Sequence, residues 1–226
     1  MRLSESVPAD LCPACAPCAG CSALPSSSMG LTLIELMVTL AVVAMLMAAV
    51  APTLGVWITN QKVRNTATSI VSGLQYARSE AVRRNRPVTF WLVRSGSAAR
   101  MDDNCAVASD SASWVVTLGT ASPAGKCAQG TSSLQLKANL AAQDGGGGDA
   151  AVAVAALNAD SGDSATRVTF NGFGQVTNTS PISRIDVTGT SEGVNKSWRV
   201  VVSGGGHSKL CDPAVTGATD TRACGS

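Results

Sequence analysis

The sequence holds little with which to do chemistry. Its one histidine is His207, and it contains neither a G-x-S-x-G nucleophile turn nor an H-E-x-x-H zinc motif. The glycine run between Asp144 and Asp149 is not followed by Lys, Ser or Thr in P-loop order, so it is a loop and no phosphate cradle. These gaps leave no catalytic residue to name and point to no cofactor and no metal. Aromatic residues supply only 4% of the chain and charged ones 14%, against abundant Gly, Ala, Ser and Thr. That balance belongs with secreted β-rich proteins rather than with cytosolic enzymes. An apolar share of 45% in 226 residues is still enough to build a core.

The longest absence is of charge. From Leu36 to Gln61 no residue is ionised, and the run is long enough to cross a bilayer as a helix rising about 1.5 Å per residue. It is too long for a secretory signal peptide and has no small-x-small cleavage site closing it. A lipoprotein signal is excluded because no apolar stretch precedes Cys12, Cys15, Cys18 or Cys21. Charge then returns unevenly. Eight basic residues against the single acid Glu80 lie between Lys62 and Arg100, whereas residues 101–226 carry eight basic and eleven acidic groups. Such a basic stretch suits anionic lipid or a polyanion, or it is a solvated helix face.

Glu35 stands at the entrance of the apolar run, where a carboxylate without a partner costs a few kcal/mol. It belongs to the string Gly30-Leu31-Thr32-Leu33-Ile34-Glu35-Leu36-Met37-Val38. That string resembles the type IV prepilin signature, in which a peptidase cuts after the glycine and N-methylates the new first residue. The resemblance implies cleavage at Gly30, methylation at Leu31, and a Glu35 that meets the terminal amine of a neighbouring subunit, so that a buried charge is paired. Pro52 falls where pilins carry a helix-kinking proline. Two departures stand out: the first mature residue is Leu rather than the commoner Phe, and the leader is long, with Arg2 as its only base. The C-x-x-C-x-x-C-x-x-C run in that leader would suit zinc or an iron–sulfur cluster. Against that, a leader is discarded, which favours an extended leader of no fixed structure or a start codon placed too far upstream.

Beyond the span, Val63, Ala67, Ile70, Leu74, Ala77 and Ala81 recur at steps of four and three, one apolar stripe on a continuing helix. Arg83, Arg84, Asn85 and Arg86 would fill its last turn, where cations suit the macrodipole, and Pro87 forces the stop. Leu31 to Arg86 is 56 residues, or roughly 84 Å of helix. After Pro87 the pattern predicts strands over Val88–Val93, Trp114–Leu118, Leu134–Leu136, Ala151–Leu157, Arg167–Phe170, Ile182–Val187 and Trp198–Val202, separated by Gly, Ser, Asn and Pro clusters. The expected fold is α+β and pilin-like: a long N-terminal helix, transmembrane in its first half, packed on a mainly antiparallel β head. Its divisions are a leader (1–30), a membrane half (31–58), an amphipathic half (59–86) and the head (87–226).

Cys105, Cys127, Cys211 and Cys224 lie in this head, and four cysteines in an exported domain predict two disulfides. Three pairings are open; Cys105–Cys127 with Cys211–Cys224 closes the shortest loops and is the simplest.

The run from Leu74 to Phe90, with Ala77-Arg-Ser-Glu-Ala-Val82 and Arg84-Asn-Arg-Pro-Val88 inside it, resembles the GspH/FimT group of minor pilins and pseudopilins. The C-terminal Gly206-His-Ser-Lys-Leu-Cys-Asp-Pro213 and Thr221-Arg-Ala-Cys224 are similar to the end of FimT-like minor pilins, where G-R-x-R precedes L-C-D-P and a basic pair is implicated in DNA binding. Here His207 and Lys209 stand at the two arginine positions, which removes the bidentate phosphate geometry. With Arg222 they would meet phosphates weakly and without reading bases. The alternative is a surface hairpin stapled for stability.

The resemblance therefore implies a low-abundance subunit of a type IV pilus. Its partners would be other pilin or pseudopilin subunits, the prepilin peptidase, the inner-membrane assembly platform, the lipid bilayer before assembly, and DNA. It would sit in the inner membrane with its head in the periplasm, then in the filament. Two alternatives remain: a type II secretion pseudopilin, and a single-span anchor with a periplasmic binding head.

Overall fold

The structure is a computed structural model that describes residues 32–130, 132–142, 152–190, 196–217 and 220–224, the side chains of 49–53 excepted. Gly30, Leu31, the four leader cysteines and the Asp144–Asp149 loop lie outside the described residues, as does the side chain of Pro52. The chain divides into two compact units, Met1–Met47 and Ala48–Ser226.

In the first unit the described residues are the start of helix α1 (Leu33–Arg84). Thr32 caps it, its hydroxyl accepting the Glu35 N–H at 3.3 Å. Thr32 and Glu35 have the spacing of a capping box, so the sequence dictates a helix start here. The apolar side chains beyond this cap are open to their surroundings among the described residues: Leu33, Met37, Leu40, Met45 and Met47 are each at least 60% exposed. Among the described residues no helix is long and apolar enough to cross a membrane.

In the second unit the apolar stripe is buried as its spacing predicts. Val63, Ala67, Ile70, Leu74, Ala77 and Ala81 are all at 1% exposure or less. The helix ends at Arg84, two residues short of the expected Arg86, because Asn85 turns left-handed at φ 48°. Arg86 N–H then bonds to the Ala81 carbonyl and Asn85 N–H to that of Val82, both at 3.3 Å. These two bonds close a Schellman cap in which Asn takes the place usually held by Gly.

Nine strands come after it among the described residues: β1 (Val88–Arg94), β2 (Ala106–Val107), β3 (Trp114–Leu118), β4 (Gln135–Asn139), β5 (Val152–Asn158), β6 (Arg167–Phe170), β7 (Ile182–Gly189), β8 (Ser197–Val202) and β9 (Ser208–Cys211). All of their pairings are antiparallel. One sheet has the order β2-β1-β3-β4, with β6 also on β1; the other is β5-β7-β8-β9. The fold is thus α+β, with a long helix and antiparallel sheets. Seven strands match the predicted ones with ends shifted by up to three residues. β2 and β9 have no predicted counterpart: β2 is two residues long, and β9 is Ser-Lys-Leu-Cys, too short and polar to alternate visibly.

One core joins the helix stripe to the inner faces of both sheets, with Phe90, Trp114, Phe170, Ile185 and Val200 among its members. The contact is close at Gly73, where a Cβ would come within 2.8 Å of the Phe90 and Trp114 rings. A second, smaller core lies on the outer face of the first sheet, built from Trp91, Val93, Val115, Cys105 and Cys127. β1 is therefore buried on both faces, which is why it is a continuous apolar run.

Candidate functional site

The predicted site residues fall in separate parts of the molecule. Glu35 is at the start of α1, two disulfides staple the head, and the C-terminal basic residues gather around β9.

The disulfides are Cys105–Cys127, with Cα atoms 6.1 Å apart, and Cys211–Cys224, at 4.9 Å. The first sits in the small outer core and joins the connection between β1 and β3, which carries Cys105, to that between β3 and β4, which carries Cys127. The second ties the C-terminal segment to the end of β9. Asp212 N–H donates to the Arg222 carbonyl at 2.8 Å, and Asp212 and Ala223 form a parallel bridge. This hairpin holds two of the three predicted cations close together but engages both. Lys209 Nζ donates to the Ala223 carbonyl at 2.9 Å. Arg222 forks onto Asp220, with Nη2 and Nε 2.7 and 3.1 Å from the two carboxylate oxygens. The guanidinium holds the Asp220 carboxyl down to about 2, so the pair is neutral overall near neutral pH.

His207 belongs to a different cluster. It closes the β8–β9 turn, where the Ser203 N–H donates to its carbonyl at 2.9 Å. Its Nδ1 accepts from Arg78 Nη1 at 3.5 Å, since a guanidinium has only donors. Arg78 also donates to the carbonyls of Gly174 at 3.1 Å and Gly205 at 3.4 Å. A single helix arginine thus fastens two turns of the head. The fastening needs Gly206: it is left-handed at φ 80°, and a Cβ there would fall on the Gly174 carbonyl oxygen. So α1 places a guanidinium beside His207.

Further along the same helix, Glu80 accepts from Arg83 Nε and Nη2 at 2.9 and 2.7 Å and from Arg84 Nε at 2.7 Å. Hydrogen bonds from the two guanidiniums bring its carboxyl down to about 2 against the opposing effect of burial. Sequence reasoning gave Arg78 and Glu80 no role, although both lie in the run from Ala77 to Val82 that carries the family resemblance. Among the described residues no cluster of His, Cys, Asp and Glu is placed to hold a metal.

A sequence profile of the family described as Type II transport protein GspH matches residues 66–206. The chain belongs to the GspH family. The match takes in α1 from Thr66 onward and strands β1 to β8, but neither the Gly30–Glu35 signature nor β9 and the stapled end after Gly206. Two solved structures of Pseudomonas aeruginosa type IV minor pilin FimU are similar to this GspH-family chain at 15% identity. In space group P21 the match covers 70% of this chain and 94% of that one, with a TM-score of 0.41. In space group P65 the figures are 69%, 97% and 0.39. No curated protein matches the chain. As a GspH-family member the chain is a pilin-type subunit, minor pilin or pseudopilin, whose family implies contact with other such subunits and a place in a pilus or the periplasm.

Proposed function

We propose that this chain is a minor pilin of a type IV pilus: cut after Gly30, N-methylated at Leu31, held in the inner membrane before assembly, and added to the fibre by its assembly platform. The observation that carries the reading is the exposed apolar start of α1 directly behind the cleavage signature. Surface of that kind demands a cover, which lipid supplies first and the helices of neighbouring subunits later. The described stretch Leu33–Ala48 is 16 residues, short of the roughly 20 that a bilayer needs. The charge-free run goes on beyond Ala48 to Gln61, and the proposed span is residues 31–58. Glu35 is the docking charge and Pro52 the weak point of the helix. No catalytic step belongs to this role.

Type II secretion is the alternative, and the family's description favours it. The stapled end after Gly206 favours the pilus, because a filament exposed outside the cell gains from a locked C-terminus. Deletion of the gene separates the two. Loss of twitching or transformation with normal exoprotein release supports the pilus, and the opposite pattern overturns it. A single-span anchor with a binding head would instead leave the precursor uncut in cells that possess the peptidase.

A contribution to DNA uptake would rest on His207, Lys209 and Arg222. The Asp220 pairing masks Arg222, so contact with duplex DNA should be weak in low salt and should strengthen in Asp220→Asn. Lys209→Ala and Arg222→Ala should each weaken it. Absence of binding in both the wild type and Asp220→Asn removes DNA from the reading.

A further inference from the structure

An open groove of about 490 Å³ lies in the second unit between α1 and the edge strand β4, away from every residue assigned above. One face is a row of helix side chains, Arg64, Asn65, Thr68 and Ser72, and the other is Lys137 and Asn139 of β4. Its two cations are held in place by aromatic rings. The Lys137 ammonium lies 5.2 Å from the Tyr76 ring centre and 5.8 Å from that of Trp114, and the Arg64 guanidinium is 5.8 Å from Trp198. Cations fixed in this way lose less side-chain freedom on meeting a ligand. Between them lie hydroxyl and amide groups, and the Trp114 indole N–H donates to Ser69 Oγ at 3.2 Å, which stiffens the floor. None of the described residues lining the groove is acidic.

We infer that this groove binds an acidic oligosaccharide, with Arg64 and Lys137 meeting carboxylates and the side chains between them meeting sugar hydroxyls. The lining decides between polyanions. A single strand held through its bases would need free aromatic faces, and a duplex would need a longer row of cations along its backbone than two. Trp114 is buried, and Tyr76 and Trp198 already carry cations. A sugar chain needs a polar floor and spaced charges, which the groove provides. Neutral glycans would offer the two cations no charge to meet. The inference does not depend on which filament the subunit enters.

The test is calorimetric titration of the full-length chain in detergent with a short oligogalacturonate, a neutral malto-oligosaccharide of equal length, and a short duplex DNA. The expected result is a dissociation constant of about 1 mM or tighter for the uronate, with each of Arg64→Ala and Lys137→Ala weakening it about tenfold. Neither the neutral oligomer nor DNA should compete with it. Thr68 is exposed on the helix, so Thr68→Tyr should keep the thermal midpoint while filling the groove and abolishing uronate binding. The inference is overturned if the uronate does not bind the wild type, if the neutral oligomer binds equally well, or if DNA displaces it. It is also overturned if Thr68→Tyr, or Arg64→Ala combined with Lys137→Ala, leaves uronate binding unchanged.

Discussion

Glu80 is a charge that burial alone would penalise, yet its side chain is only 10% exposed and two guanidiniums converge on it. Its carboxyl is lowered from 4.5 to about 2. A depressed carboxyl stabilises the fold above its unfolded value, and that stability drains away as pH falls from 4.5 toward 2. Both arginines are substantially solvated, which limits the gain, so Glu80→Gln should cost about 1–2 kcal/mol at pH 7. Thermal midpoints of wild type and variant, well apart at pH 7, should converge near pH 2; a constant gap would mean that the charge is not the cause. Gly172 poses a residue-scale question of space instead. A Cβ there would strike Asn85 Oδ1 and approach Asn85 Cα to 3.2 Å, so Gly172→Ala should lose about 1–3 kcal/mol. Asn85→Gly removes the obstructing side chain and keeps the left-handed cap. In that background Gly172→Ala should cost markedly less, and simple additivity in urea denaturation would show that the two residues do not meet.

Among the elements, α1 was the most legible, because six apolar residues at helical spacing leave no other way to bury themselves against a sheet. Strands with one buried face were legible for the same reason. β5 alternates Val152, Val154 and Ala156 inward with exposed residues between. What period could not convey was the second core. Trp91, Val93 and Val115 point away from the helix, and only the long loop stapled by Cys105–Cys127 explains their burial. The two disulfides should therefore differ in effect although the chain-entropy gain is about 3 kcal/mol for each loop. Replacing Cys105 and Cys127 by Ala also opens the small core, so unfolding in urea should shift by at least that amount. Replacing Cys211 and Cys224 should chiefly release the C-terminal segment, read as faster amide exchange at Asp212 and faster trypsin cleavage after Arg222. Equal global shifts for the two pairs would contradict this division of labour.

On the scale of the whole molecule, the sequence singled out Glu35 and the four head cysteines, and left Arg78 and Glu80 to the fold. Glu35 was conspicuous as a charge in an apolar run, whereas Arg78 was one arginine among several until the Gly174 and Gly206 turns closed on it. Glu35 also has a position that needs no second subunit: its N–H is the donor that Thr32 caps, and its side chain has the spacing to return a bond to the Thr32 N–H. The two roles demand different chemistry. A cap needs an acceptor at the third helical position, which Gln supplies; pairing with a neighbour's terminal amine needs a negative charge, which Gln lacks. Glu35→Gln should therefore leave the precursor stable, inserted and cut, while the mature subunit stays in the membrane fraction and is missing from sheared fibres. Thr32→Val should do the reverse: it weakens the helix start by about 1 kcal/mol yet still permits assembly. Normal incorporation of the Glu35→Gln subunit would assign the residue to the cap and leave the docking charge to be sought elsewhere on α1.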